Sequence, residues 1–250
     1  MPRKPREFSS SDIYHIMVRG VNKQPMFHKT SDYDYFLRVL ADNKEEMPYA
    51  LYAFCLMPNH VHLLMKIDFD KLSHVMKAVG SKYASWFNVK YDRVGHLFQD
   101  RFKSEPVEND RYFLTVLRYI HRNPVKAMMV QEPDGYPYSS YPGYFTKQSL
   151  IDTKLVRAYM NEQQFVAFHT MDTDDKCMDI DNCTDRLTDE QALRKMYEIT
   201  KTRSSAEFLL LPLDVRSAHI KTLYDQGLSK SQIQRCTGSS YKKVTRALSE

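Results

Sequence analysis

A ferredoxin-like α+β sandwich followed by an all-α C-terminal region is the fold class predicted for this 250-residue sequence, on three observations. Residues 13–121 alternate strand-like and helix-like patterns in the order strand, helix, strand, strand, helix, strand, helix. The middle two strands meet at Met57-Pro58-Asn59, which is turn chemistry, so a hairpin interrupts the alternation. Beyond residue 190 only helical periodicity remains. The first two observations describe a split βαβ unit, an antiparallel sheet with helices on one face. Such a fold says nothing by itself about function.

The elements follow from local pattern. Residues 13–19 alternate loosely and stop at Gly20, which predicts the first strand, and 20–30 form a polar loop. Thr30-Ser31-Asp32 supplies N-cap chemistry, and Tyr33, Phe36, Leu37 and Leu40 recur at helical spacing, so 31–46 is a helix with one buried face. Residues 49–56 and 60–67 are the hairpin strands. Leu72, Val75, Met76, Val79, Tyr83, Trp86 and Phe87 mark a second long helix whose Met and aromatic stripe belongs to the core. Residues 91–100 read as loop and 101–107 as the last strand. Glu108-Asn109-Asp110 caps a third helix, 111–121, with Phe113, Leu117 and Ile120 as its buried stripe. Pro124 disfavours helical geometry at Asn123 and is expected to end the helix there.

Charge divides the chain. Residues 1–150 carry 21 Lys/Arg and 16 Asp/Glu, 171–190 carry two basic and eight acidic residues, and 191–250 carry 11 basic and five acidic. Two basic blocks flanking an acidic connector point to two surfaces that meet a polyanion. The expected organisation is one domain over 1–150, a helix plus acidic linker over 151–190, and a helical region over 191–250. Cys55, Cys177, Cys183 and Cys236 form no C-x-x-C pair, which fits a reducing cytosol. The basic N-terminus lacks the apolar core of a signal peptide, and no run long enough to span a bilayer exists, so no membrane partner is expected.

Two segments carry chemistry. His60 and His62 are two apart in a strand, so both imidazoles lie on one face, where they make half of a divalent-metal site or two satisfied histidines. On the third helix, Asn123 is one turn beyond Tyr119, so a phenol and an amide are presented on one side near its end. The plainer reading of that pair is a snorkelling tyrosine and a C-capping asparagine.

Met57-Pro58-Asn59-His60-Val61-His62-Leu63-Leu64, Gly95-His96-Leu97-Phe98-Gln99-Asp100-Arg101-Phe102-Lys103-Ser104 and Leu117-Arg118-Tyr119-Ile120-His121-Arg122-Asn123-Pro124-Val125-Lys126-Ala127 resemble the signature blocks of the REP-associated tyrosine transposases, bacterial single-tyrosine members of the HUH nuclease superfamily related to IS200. Tyr14-His15-Ile16-Met17-Val18-Arg19-Gly20 and Pro137-Tyr138-Ser139-Ser140-Tyr141 resemble the flanking blocks, and the resemblance covers about residues 10–145. It implies a nuclease domain in which His60, His62 and Asn123 bind a divalent metal and Tyr119 is the nucleophile. A free phenol, with a pKa near 10, is a poor nucleophile at neutral pH. A cation on the phosphate offsets charge and orients the leaving oxygen. Two imidazoles and an amide oxygen leave that cation its Lewis acidity; Mg²⁺ prefers oxygen ligands and two imidazoles are friendlier to Mn²⁺, so Mg²⁺ is expected in the cell and Mn²⁺ at least as good in vitro. The expected product is a 5′-phosphotyrosine and a free 3′-OH.

The implied substrate is single-stranded or hairpin DNA. Arg19, Lys23, Arg101, Lys103, Arg118, Arg122 and Lys126 are the candidate backbone contacts, and Phe98 and Phe102 the candidate stacking rings; each also reads as ordinary surface charge or core. His15, His96 and His121 are spare imidazoles. In the tail, residues 213–250 hold a helix-turn-helix pattern in which a short capped helix, a turn at Cys236-Thr237-Gly238 and a recognition-like helix present Lys242, Lys243 and Arg246. That pattern is similar to the double-strand-binding tails of replication initiators and Trp-repressor-like proteins; a helical bundle docked on the nuclease domain is the other reading. The sequence thus predicts a cytoplasmic, nucleoid-associated monomer or homodimer that cuts and rejoins DNA. A non-cleaving hairpin DNA- or RNA-binding regulator and a metal hydrolase that uses water are the rivals.

Overall fold

The computed structural model describes residues 6–146, 150–171, 177–178 and 189–248. Most of the predicted acidic linker, with Cys183, lies outside them. The chain divides into two compact units, Met1–Asp179 and Ile180–Glu250, each described by itself.

In the first unit β1 (Ile13–Arg19), α1 (Thr30–Glu46), β2 (Ala50–Met57), β3 (His60–Lys66), α2 (Phe69–Lys90), β4 (Lys103–Pro106) and α3 (Asp110–Lys126) follow in the predicted order. The sheet is four-stranded, antiparallel throughout and ordered β2-β3-β1-β4. Pleating sends successive side chains to opposite faces. Tyr14, Ile16 and Val18 face the side of α1 and α2, where Tyr14 packs against Phe69 and Val18 shares a groove with Phe36, Met76 and Val79. The two crossover helices therefore cover one face, as expected. The third helix departs from the one-faced arrangement expected from the sequence: it lies across the other face, against β2 and β3, with Tyr119 over the histidine side. Asp32, fully buried, accepts from the backbone N–H groups of His28 and Lys29 and pairs with Lys90, which ties the start of α1 to the end of α2.

One boundary differs with consequence. Pro124 lies inside α3, which runs on to Lys126. Proline removes one donor, but here it stands in the last turn, whose carbonyls are satisfied from beyond it: Ala127 N–H donates to Asn123, Met128 N–H to Val125 and Met129 N–H to Pro124. The exposed edge of β2 is covered by the segment after α3, since Leu56 N–H donates to the Tyr138 carbonyl and Ser140 N–H to that of Phe54. Two short helices, α4 (Lys154–Tyr159) and α5 (Glu162–Thr170), complete this unit.

The second unit holds α6 (Asp189–Thr200), α7 (Ser205–Leu209), α8 (Leu213–Asp225), α9 (Lys230–Thr237) and α10 (Tyr241–Ala247) around Met196, Phe208, Ile220, Leu223, Ile233 and Val244. Ser229 and Gln232 cap α9 reciprocally, and Gly238 ends it at φ +68°, the left-handed geometry glycine adopts without strain. No helix among the described residues is long and apolar enough to cross a membrane.

Candidate active site

The face under α3 carries the polar groups. Register places Met17 of β1 opposite His62 of β3 and Lys103 of β4, with Arg19 opposite His60 and His15 opposite Glu105. His15, His60, His62, Lys103 and Glu105 therefore share one side of the sheet. Tyr119 descends onto this row from α3. Its ring centroid is 5.6 Å from that of His62 and 5.9 Å from that of His15, edge-on to both. The rings of His60 and His62 are 5.0 Å apart and perpendicular. Tyr119 faces the two central strands, β3 and β1.

The orientation of each imidazole has a cause. His60 Nδ1 lies 2.8 Å from Asn59 Oδ1, and a carbonyl oxygen only accepts, so the proton is on Nδ1 and the lone pair on Nε2. Asn59 is itself pinned, since its Nδ2 donates to the Lys23 carbonyl. His62 Nδ1 shares a 2.9 Å hydrogen bond with His15 Nε2, while His62 Nε2 is buried without a hydrogen-bond partner among the described residues. Burial, and after it the neighbouring His15 and His60, hold the His62 imidazole well below its ordinary pKa, so the ring is neutral near pH 7. Cys55, opposite His62, is fully buried, and burial pushes its thiol up, so no thiolate competes there. Glu105 lies 3.6 Å from His15 Nδ1. Burial raises its pKa, but the neighbouring His15 ring and the Tyr112 hydroxyl outweigh this and leave the carboxyl below its ordinary range.

Asn123 lies one turn beyond Tyr119 and its Nδ2 donates to the Tyr119 carbonyl, which leaves the amide Oδ1 as an acceptor. Among the described residues no group of three or more His, Cys, Asp or Glu is arranged for a cation. The His60 and His62 rings are adjacent, with His62 Nε2 buried and without a hydrogen-bond partner among the described residues, and a pair of imidazole nitrogens of this kind fits part of the donor set of a divalent ion.

The other candidate residues separate into groups. The Lys126 ammonium lies 4.6 Å from the Tyr119 ring centroid, so this residue, read as a DNA contact, stands beside the phenol. Arg19 donates through Nε to Gln99 Oε1 on the same side of the sheet as His60. Lys23 is exposed in the loop that holds Asn59, and Lys103 is exposed on the histidine side. Phe98, Arg101 and Phe102 line a groove of about 440 Å³ on the α1–α2 side, with Arg6 stacked 3.8 Å from the Phe102 ring centre. Arg118 and Arg122 need correction as surface contacts. Arg118 is buried with its guanidinium over the Phe168 ring, and Arg122 donates to the carbonyls of His169 and Met171. Both brace α3 against the α5 segment. His121 is also structural, bonded to His169 and to Ser140. In the second unit Lys242, Lys243 and Arg246 are exposed on α10.

Sequence reasoning missed three residues: Asn59, His15 and Glu105. Asn59 adjoins His60, but its side-chain direction is invisible in sequence. His15 and Glu105 become neighbours only through strand register.

Residues 9–123 match the family profile described as "Transposase IS200 like". A Haemophilus influenzae protein named as a REP-associated tyrosine transposase is 25% identical over 148 residues, covering 54% of this chain and 83% of its own length. A solved structure of a REP-associated tyrosine transposase bound to a REP hairpin superposes with a TM-score of 0.52 at 18% identity, over 72% of this chain and 99% of that one, a likeness of fold.

Proposed function

Residues 9–123 belong to the IS200-like transposases, and on that premise we propose that this protein is a divalent-metal-dependent endonuclease and strand transferase for single-stranded DNA beside a hairpin, with Tyr119 as nucleophile. The observation that carries this reading is the convergence of Tyr119 with His62 and His60 over the centre of the sheet.

In the proposed reaction the Tyr119 hydroxyl attacks the scissile phosphorus in line with the 3′ oxygen. The Oη–P bond forms and the P–O3′ bond breaks. The leaving oxygen takes a proton to become a free 3′-OH, and the phenol proton passes to solvent. Attack by another 3′-OH on the phosphotyrosine reverses these changes and joins a new strand end without an external energy source. His60, His62 and the Asn123 amide oxygen are the proposed holders of Mg²⁺ or Mn²⁺, which when bound would offset charge on the scissile phosphate and the leaving oxygen. Lys126 places a positive charge beside the Tyr119 ring. Tyr119 is only 2% exposed, so the incoming strand must displace the side chains over it, Lys126 among them.

A hairpin partner is proposed by extension from the relative solved with one. Phe98, Phe102 and Arg101 form an aromatic, basic groove suited to unpaired bases and their phosphates, and Arg19, Lys23 and Lys103 lie where a strand would approach the histidines. In the second unit, α9, the turn at Gly238 and α10 are proposed as a helix-turn-helix whose Lys242, Lys243 and Arg246 meet duplex phosphates.

The low exposure of Tyr119 favours one other reading, a regulator that grips a hairpin without cutting. A denaturing gel separates these. Incubation of the protein with end-labelled hairpin-bearing single strands and Mn²⁺ is expected to give a covalent protein–DNA band that Tyr119→Phe abolishes while hairpin binding persists. Cleavage without a band indicates hydrolysis by water, and binding without cleavage indicates the regulator.

A further inference from the structure

The row of polar groups behind the histidine pair, half-exposed at Glu105 and buried from His15 onward, has a direction. It runs from Glu105 through His15 to His62 and ends at the lone nitrogen His62 Nε2. Each neutral imidazole carries one ring proton, and a hydrogen bond between two ring nitrogens holds one proton between them. Geometry alone leaves two ways of filling the row. Either every ring proton lies on the side toward Glu105, or every one lies on the side toward Tyr119.

Glu105 decides between them. A carboxylate accepts and does not donate. The Met178 N–H donates to Glu105 Oε2 at 3.3 Å, and this carboxylate stands 3.6 Å from His15 Nδ1. That separation is longer than a direct hydrogen bond, yet two lone pairs facing one another across it inside the protein would repel. When His15 carries a single ring proton, that proton therefore sits on Nδ1, and His15 Nε2 is the acceptor. His62 must then donate through Nδ1, and its remaining lone pair is on Nε2. A carboxylate or carbonyl behind a metal-bound imidazole acts in this way at many metal sites, fixing ring orientation and raising basicity. Here a second histidine is interposed.

We propose that His15, polarised by Glu105, is a positioning residue that sets the tautomer and ring orientation of His62, so that His62 Nε2 is presented as a metal ligand. This inference rests on the metal-site reading above. It divides the labour between the two ligands: Asn59 orients His60 from the turn, and the Glu105–His15 pair orients His62 from the neighbouring strands. His15 touches neither substrate nor metal in this scheme.

The test uses the full chain and two readouts besides turnover. Long-range ¹⁵N–¹H spectra of histidine-labelled, metal-free protein are expected to show His62 protonated at Nδ1, and a His62 proton at Nε2 would overturn the proposal. Calorimetric titration with Mn²⁺ is expected to show about 10–100-fold weaker binding in His15→Ala, with most of the loss restored in His15→Gln, whose amide oxygen can accept the same proton. Glu105→Gln, at a half-exposed position where the fold tolerates change, is expected to weaken binding by about tenfold and carries the test if His15→Ala does not fold. Wild-type affinity in His15→Ala and Glu105→Gln, with binding lost in His62→Ala, would sink the positioning role and leave the metal site standing. Undiminished Mn²⁺ binding in His62→Ala, or none in the wild type, would remove the metal-site reading and this inference with it.

Discussion

The Tyr119 ring stands edge-on to His62, with centroids 5.6 Å apart, although the two come from a helix and a strand on opposite sides of α2 in the chain. The β3–β1 pairing and the lie of α3 across the sheet together produce this meeting. It brings the candidate nucleophile and the candidate ligand into one site within a single chain.

Lys126 is expected to matter to the rate of adduct formation more than to DNA affinity. An ammonium 4.6 Å from the phenol ring centre stabilises the negative charge that develops on oxygen. Lys126→Met is predicted to slow appearance of the covalent band about tenfold, roughly 1.4 kcal/mol of barrier, with Mn²⁺ affinity unchanged. Single-turnover gels and calorimetry on the same preparation check both halves, and an unaltered rate would remove Lys126 from the site.

Arg101 and Arg118 should respond in opposite ways to the same substitution. Arg101 is exposed beside the aromatic groove, so Arg101→Ala is predicted to weaken hairpin binding and lower the salt slope by about one, with stability unchanged. Arg118 is buried over Phe168, so Arg118→Ala is predicted to cost about 1–3 kcal/mol of stability with an unchanged salt slope. Fluorescence anisotropy across a salt series and urea unfolding distinguish them. Trp86, the sole tryptophan, lies in the first unit and reports its unfolding.

The His121–His169 pair makes the first unit acid-sensitive. Burial, reinforced by Arg118 and Arg122 and opposed by the Phe165 carbonyl, lowers the His169 pKa to about 4. Burial and then His169 hold His121 well below its ordinary value. The unfolded chain takes up a proton at each ring near pH 6.5, while the folded chain does not. The stabilising contribution is therefore complete above pH 6.5 and is lost as pH falls toward 4. For His169 alone the loss is about 3 kcal/mol. The urea midpoint followed by Trp86 fluorescence should fall across that window, and His169→Gln should flatten the fall.

Gly20 is predicted to be intolerant of any side chain. A Cβ there would stand 2.2 Å from the Gln24 carbonyl oxygen and 3.0 Å from Met26 Cγ, while the Gly20 N–H donates to the Asn59 carbonyl. Gly20→Ala should destabilise the first unit by about 2–4 kcal/mol. It should also displace Asn59 and with it the His60 ring, so Mn²⁺ affinity of the folded fraction should drop as well. Full stability in this variant would mean that the loop relaxes without cost.

Much of the architecture was legible because it is local. Strands at 13–19 and 60–66 follow from period-two alternation bounded by Gly20 and by the Pro58-Asn59 turn. The same periodicity put His60 and His62 on one face without knowledge of the partner strands. The end of α3 was not legible, because the bias against helix before Pro124 is overruled where the last-turn carbonyls find donors from residues 127–129. That extra turn places Lys126 about two turns from Tyr119 and on its side of the helix. Arg118 and Arg122 read as surface charge because nothing local shows that α5 folds back to cover them.

The sequence by itself determined the kinds and order of the elements, the pairing of His60 with His62 on one face, and the resemblance carried by three motif blocks. Tertiary structure alone decided that His15 and Glu105 stand behind His62, that Tyr119 faces the central strands, and that Arg118 is buried. Side-chain periodicity is a property of a few neighbouring residues, whereas strand register and helix crossing arise from contacts between segments far apart in the chain, and those contacts choose which polar groups meet.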